Sequence, residues 1–194
     1  MDVIDAIKKR RSIRNYRPDE IPEDVLKKLL NAMRLAPSGK NRQPWKFIVV
    51  RDKATKAKLA AVCSGQTFIA EAPVVIVACG SEKEAAARYY KDGQIIAADG
   101  WAVAQEMERG TVEYESCLPA DLAIALDHLT LAAVEEGLGT CWIGSLDERQ
   151  VKGLLSIPDD MRAPIVMPIG YPTSWPDPRP RKPLDEIICY ERYN

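Results

Sequence analysis

From Asp121 to Glu136 the chain carries Leu122, Ile124, Leu126, Leu129, Leu131 and Val134 at spacings that leave almost no polar face, and Gly137 ends the run. A helix apolar nearly all round must be covered on more than one side. It is therefore either the central helix of a core or a seam between two subunits, and the rest of the chain has to supply the covering layers.

Those layers alternate along the sequence. Val3, Ile4 and Ile7 mark a short amphipathic helix running into Arg10. Pro22 opens a second, with Val25, Leu26, Leu29, Leu30 and Met33 on one face, and Pro37 stops it. Trp45 to Val50 reads as a strand, Lys53 to Val62 as a helix, and Pro73 to Cys79 as a continuous apolar strand buried on both faces. Thr140 to Gly144 and Pro164 to Gly170 read as two more buried strands around a helix from Asp147 to Leu155. The expectation is an α/β fold with four strands in its sheet. Glu82 to about Leu118 is polar and aromatic by turns and reads as a helical, variable region. Pro172, Pro176, Pro178, Pro180 and Pro183 then mark an arm too proline-rich to pack as an element, with Ile187 to Tyr190 as a candidate last strand. Such an arm suits docking on a neighbouring molecule. No repeat or linker divides the 194 residues, so one domain over 1–194 is expected, with a variable region at 82–118 and an arm at 171–194.

Charge narrows the partners. Lys and Arg number 27 against 28 Asp and Glu, so no global field draws nucleic acid or an anionic membrane, and any basic function rests on local clusters. Cys63, Cys79, Cys117, Cys141 and Cys189 are odd in number and contain no CxxC pair, which fits neither a disulfide scaffold nor a zinc site and suits a reducing cytoplasm. The N-terminus lacks the apolar stretch of a secretory leader, and no run approaches the ~20 apolar residues of a membrane span.

The local clusters are Arg10-Arg11-Ser12-Ile13-Arg14, Ala36 to Trp45, and Arg179-Pro180-Arg181-Lys182. Arginine forks match phosphate geometry, and a serine two residues away can add a hydrogen bond to the same group. A basic run at a helix end serves equally well to complement the helix macrodipole. Pro37, Ser38, Gly39 and Asn41 can present amides and side chains to a planar polar ring, or make an ordinary helix-to-strand turn. Other chemistries lack parts. His128 sits in the apolar helix with no nucleophile beside it, which suits a core or interface histidine. Cys141 opens an apolar strand and reads as a small buried hydrophobe. Gly137-Leu138-Gly139 precedes a strand instead of opening a helix, so it is no dinucleotide fingerprint.

Taken together, RRSIRNY at 10–16 with Ile21-Pro22 behind it, APSGKNRQPWKF at 36–47, GLGTCWIG at 137–144, and PIGYP with RPRKPLDEI at 168–187 resemble the FMN-dependent nitroreductase family over essentially the whole chain. The resemblance implies a three-layer fold with a mixed central sheet flanked by helices, in an intertwined homodimer whose C-terminal arm docks on the partner. By the same resemblance Arg10, Ser12 and Arg181 would hold the FMN phosphate, with Arg179 or Lys182 assisting, and Arg11 would lie near the ribityl chain. Arg14 would face the N1 and C2 carbonyl edge. Pro37, Ser38, Gly39 and Asn41 would reach the flavin from the partner subunit, the backbone at Ile143 and Gly144 would approach N5, and Gly139 to Trp142, Cys141 included, would line the pocket. Gln66 is a further candidate at the pyrimidine edge.

The implied activity is a ping-pong NAD(P)H oxidoreductase, in which NADH or NADPH reduces the flavin and an electron-poor acceptor such as a nitroaromatic or quinone takes the same place. Flavin N5 would carry the chemistry, with no protein nucleophile and no metal. Tyr89, Tyr90, Trp101 and Tyr114 are either stacking partners for an aromatic acceptor or packing residues. A halotyrosine reductive dehalogenase, with Glu84, Tyr89, Lys91, Glu113 and Tyr114 in its lid, and a non-catalytic flavin-storage protein are the competing readings.

Overall fold

The structure, a computed structural model, describes residues 1–91, 94–96 and 113–193. Four antiparallel-paired strands form the central sheet: β1 (Trp45–Val50), β2 (Val74–Ser81), β7 (Met161–Gly170) and β6 (Gly139–Thr140), in the spatial order β1-β2-β7-β6. The parallel member of the expected mixed sheet is a single bridge, Ser12 beside Thr140.

The buried run at β2 explains the layering. Successive side chains of a strand point to opposite faces. Val74, Ile76 and Ala78 join one apolar cluster, Val75, Val77 and Cys79 the other. The first cluster lies under α2 (Glu23–Arg34) and α5 (Leu118–Glu135), which contribute Leu26, Leu29 and Met33, and Leu122, Leu126 and Leu129. The second lies under α3 (Lys53–Val62), α4 (Phe68–Glu71) and α6 (Glu148–Leu155). Helices on both faces of one sheet make the three layers.

The apolar run that opens the sequence argument is α5, and it is the central core helix. Pro119 sits in its first turn, where a missing N–H costs nothing. At the other end Gly137 takes φ +73°, its N–H reaching Val134 and that of Leu138 reaching Ala133 at 2.8 Å, a Schellman closure that uses the last carbonyls. Only one strip is left open, where Ile124 is 39% exposed. Among the described residues no helix is long and apolar enough to cross a membrane.

Two expectations are corrected. Glu82 to Cys117 is not helical where it is described: after a short turn it forms β3 (Ala86–Lys91), β4 (Gln94–Ile96) and β5 (Glu113–Ser116), a separate antiparallel sheet in the order β4-β3-β5. The helix-forming Ala85-Ala86-Ala87 run is outweighed by the Tyr89-Tyr90 and Ile95-Ile96 pairs, residue types favoured in strands, which oppose each other in register. Trp101 lies outside the described residues. Nor do Ile187 to Tyr190 form a strand. Past a 3-10 turn at Leu184–Glu186 they pair with no strand among the described residues, and Ile187 and Tyr190 are exposed.

At the other edge, β6 packs closely on the segment after α1 (Val3–Lys9). The Ile13 N–H donates to the Thr140 carbonyl at 2.9 Å, and a Cβ on Gly139 would stand 2.9 Å from Cβ of Ile13 and nearer still to its Cγ1. Gly139→Ala should therefore lower unfolding stability by about 1.5 kcal/mol through overpacking. Ile13→Ala, which removes the crowding Cγ1 and Cγ2, should cost less in the Gly139→Ala chain than in the wild-type chain, as read by thermal denaturation of the double-mutant cycle. An unchanged Tm in Gly139→Ala would mean that this contact does not form.

Candidate functional site

The basic run at 10–14 starts where α1 ends. Arg11 folds its guanidinium back over that end, donating from one terminal nitrogen to the carbonyls of Lys8 at 2.6 Å and Arg10 at 2.7 Å. That satisfies carbonyls which a helix end leaves unpaired. The following residues are clamped on two sides. Ser12 and Ile13 lie along Thr140, while Asn15 to Arg17 pair with the start of the C-terminal arm. The Arg17 N–H donates to Tyr171 at 2.8 Å, and the Thr173 N–H to Asn15 at 3.2 Å.

Tyr16 fastens the middle. Its buried hydroxyl donates toward the Ile13 carbonyl at 2.8 Å, with the Pro168 carbonyl at 3.3 Å, and burial pushes the phenol far above its usual range. Cation–π contacts extend the seam, Arg17 lying 5.1 Å from the Tyr171 ring and Lys9 5.5 Å from that of Trp175.

This pairing carries the arm back over the helix end, and a cleft of ≈ 500 Å³ forms between them. Arg10, Arg11, Ser12 and Arg14 line one wall, Pro176, Asp177, Pro178, Arg179 and Arg181 the other, with Ile7 and Lys8 completing it. Six cationic side chains face one carboxylate, so the field of the cleft favours an anion. Arg11 Nε is buried there without a partner, a donor left over for a ligand. Cys141 is 1% exposed and is not among the residues lining the cleft. Burial pushes its thiol up, against the opposing pull of the Arg14 and Arg10 charges.

The other expected site residues are elsewhere in this chain. Pro37, Ser38, Gly39 and Asn41 form an exposed turn held to α5, where the Gly39 N–H reaches the buried Asp121 at 3.3 Å and Ser38 Oγ accepts from the Gln43 N–H at 2.9 Å. Lys40, Asn41 and Gln43 take φ values of 51°, 55° and 52°, a region that disfavours Lys and Gln. Trp142 lines a separate shallow hollow of ≈ 380 Å³ with Ala123, Ile124, Asp127 and His128. Ile143 is buried in a two-way bridge with Val166, Gly144 is exposed with open space around it, and Gln66 turns its amide to the Cys63 carbonyl at 2.9 Å. Lys182 is exposed outside the cleft lining. Lys8, Asp177 and the clamp at Tyr16 escaped the sequence reading. Lys8 and Asp177 are only neighbours of the basic motifs, and Tyr16 acts through main-chain carbonyls that no motif reveals.

A three-layer α/β frame with an arginine-walled cleft at one sheet edge is a scaffold suited to holding an anion. A profile of the Nitroreductase family matches residues 7–171, and the chain belongs to that family. It is similar to "NADH dehydrogenase" of Thermus thermophilus, 33% identical over 203 residues covering 98% of this chain and 96% of the relative. It is 30% identical to "FMN reductase [NAD(P)H]" of Bacillus subtilis, covering 99% and 74% of the two chains, and 30% identical to "Iodotyrosine deiodinase" of Thermotoga neapolitana, covering 98% and 96%. A crystal structure of a nitroreductase family protein from Clostridium difficile superposes with a TM-score of 0.78 at 28% identity, covering 100% of both chains.

Proposed function

We propose that the protein is an FMN-dependent NAD(P)H oxidoreductase, and that the cleft between the end of α1 and the C-terminal arm holds the FMN phosphate. The observation that carries this reading is the convergence of Arg10, Ser12, Arg179 and Arg181, separated by some 170 positions in sequence, on one cavity with an unpartnered buried Arg11 Nε. Arginines and a hydroxyl are the donor set a phosphate dianion requires. Bound there, FMN would supply hydride chemistry, accepting from NADH or NADPH and delivering in a second half-reaction to an electron-poor acceptor such as a nitroaromatic or quinone.

The chain's own residues do the remaining work. Arg10, Ser12 and Arg181 bind the phosphate, and Arg14 extends along the same wall toward the ring. The Pro37–Asn41 turn and the open Ile124–His128–Trp142 strip lie outside the cleft. Their exposure supports the reading that a second copy covers them, that the site is completed in a homodimer, and that the arm beyond Arg181 docks on the neighbour. A reducing cytoplasm suits the thiols at Cys63, Cys79, Cys117 and Cys141.

Purified protein is expected to be yellow and to bleach anaerobically with NADH or NADPH, then recover its colour on mixing with a nitro or quinone acceptor. Flavin that stays oxidised with both nicotinamides would sink the enzyme reading and leave a storage role. A second reading, reductive dehalogenation, is favoured by the iodotyrosine deiodinase relative. Reoxidation of the reduced flavin by iodotyrosine in preference to quinones would select it. Gel filtration bears on the dimer, since a monomer that keeps FMN and turns over would refute a site shared between subunits.

A further inference from the structure

Tyr16 is not among the residues lining the cleft, yet both walls of the cleft are built on it. Its main chain bridges to Pro172 where the arm begins, flanked by the hydrogen bonds from Arg17 to Tyr171 and from Thr173 to Asn15. Its ring packs on Gly170, where a Cβ would stand 2.9 Å away. Its hydroxyl reaches back to the carbonyl of Ile13, the residue between Ser12 and Arg14, which both line the opposite wall.

A phenol has one proton to donate. Of the two carbonyls near it, that of Ile13 stands at 2.8 Å and that of Pro168 at 3.3 Å, and the Pro168 carbonyl also accepts from the Cys141 N–H at 3.3 Å. The proton therefore belongs to Ile13, whose carbonyl has no other donor among the described residues. Ile13 is 1% exposed, so its carbonyl, deprived of that donor, could be satisfied only by turning its peptide toward water. That peptide ends on the nitrogen of Arg14, and turning it shifts Arg14 directly and Ser12 through the Ile13 Cα. Burial keeps the phenol protonated, so the donor is in place throughout the neutral range.

We propose that Tyr16 is a positioning residue for the anion cleft: its hydroxyl fixes the Ile13 peptide, and with it Ser12 and Arg14, in the arrangement that receives the phosphate opposite the arm. The proposal rests on the FMN reading above and adds a residue that touches no ligand. Tyr16→Phe keeps the ring on Gly170 and removes only the donor. The change falls on the phosphate wall, so riboflavin, which has the ring and lacks the phosphate, should sense it least.

The test compares dissociation constants for FMN and for riboflavin in the full-length flavin-free protein, with flavin fluorescence as readout, in wild type, Tyr16→Phe, Ser12→Ala and the double variant. Tyr16→Phe should weaken FMN about fivefold, the effect of one modest hydrogen bond, and riboflavin by less than about twofold. Ser12→Ala should weaken FMN about fivefold in wild type and by less than about twofold in the Tyr16→Phe chain, because a serine already displaced has little left to lose. Thermal denaturation of the same samples follows the fold separately. Equal losses for both flavins in Tyr16→Phe, or a lowered Tm with neither flavin affected, would reduce the hydroxyl to a structural bond and overturn the proposal. Losses that simply add in the double variant would overturn it as well. Wild-type protein that does not prefer FMN to riboflavin would instead remove the phosphate assignment itself, so the two failures are distinguishable.

Discussion

Arg14→Ala is expected to slow flavin reduction by NAD(P)H about a hundredfold, while FMN retention changes by less than about threefold. Reduction adds negative charge to the N1–C2 edge of the isoalloxazine. A guanidinium held there contributes more after charge has developed than before, so its loss falls on the rate and little on ground-state binding. In the single chain Arg14 is exposed. Water would reduce its field to about 1 kcal/mol at 4 Å, far short of a hundredfold. The full effect therefore requires that the flavin and a second subunit displace water from the guanidinium. Stopped-flow reduction of the variant, with flavin content measured on the same sample, reads both quantities. A loss of retention as large as the loss of rate would mean that Arg14 is an ordinary binding residue. A loss of only a few-fold in both would mean that the site stays wet, which counts against closure by the partner.

How far the sequence reveals such a site depends on the kind of interaction. The layers were legible because the apolar run at 74–79 and the apolar helix after Asp121 admit few arrangements, and alternate residues of β2 do divide between the two clusters. The outer sheet was not. Ala85-Ala86-Ala87 favours helix, and strand pairing depends on partners more than twenty residues away, as at Tyr89 opposite Tyr114. One local signal for it does stand in the sequence, the Asp92-Gly93 dipeptide typical of tight hairpins.

Within the site, the residues themselves mark the arginines as cations, and only the family resemblance brings Arg10, Ser12, Arg179 and Arg181 together from the sequence. Their meeting depends on the main-chain pairing of Asn15 to Arg17 with Tyr171 to Thr173, on glycine at 139 and 170 where neighbours leave no room for a Cβ, and on the Tyr16 hydroxyl reaching carbonyls. Gly170, for example, would set a Cβ 2.9 Å from the Tyr16 ring. A glycine in the PIGYP motif thus has a packing role at Tyr16, whatever the ligand asks of it.

Arg181→Ala is expected to divide the effects the other way, weakening FMN retention about thirtyfold, the loss of roughly 2 kcal/mol for one charge-assisted pair, while reduction of the flavin that remains bound proceeds within about twofold of wild type. The geometry of the arm supports that magnitude. Arg181 is exposed, and one of its terminal nitrogens has only the carbonyls of Arg179 and Pro180 near it, each at 3.4 Å and weak. Its donors are thus available to a phosphate and already partly freed from competing bonds. Arg10 and Ser12 remain on the opposite wall in the variant, so binding weakens without vanishing. Because the lost interaction is between charges at a cleft rim, it should shrink as salt rises. Kd values for wild type and variant measured at low and high ionic strength should therefore converge. A thirtyfold gap that persists at 1 M salt would mean that the arm has refolded and that Arg181 acts through the structure of the arm. No gap at low salt would mean that the wall formed by Arg10, Arg11 and Ser12 holds the phosphate alone, and that the arm serves only the contact between subunits.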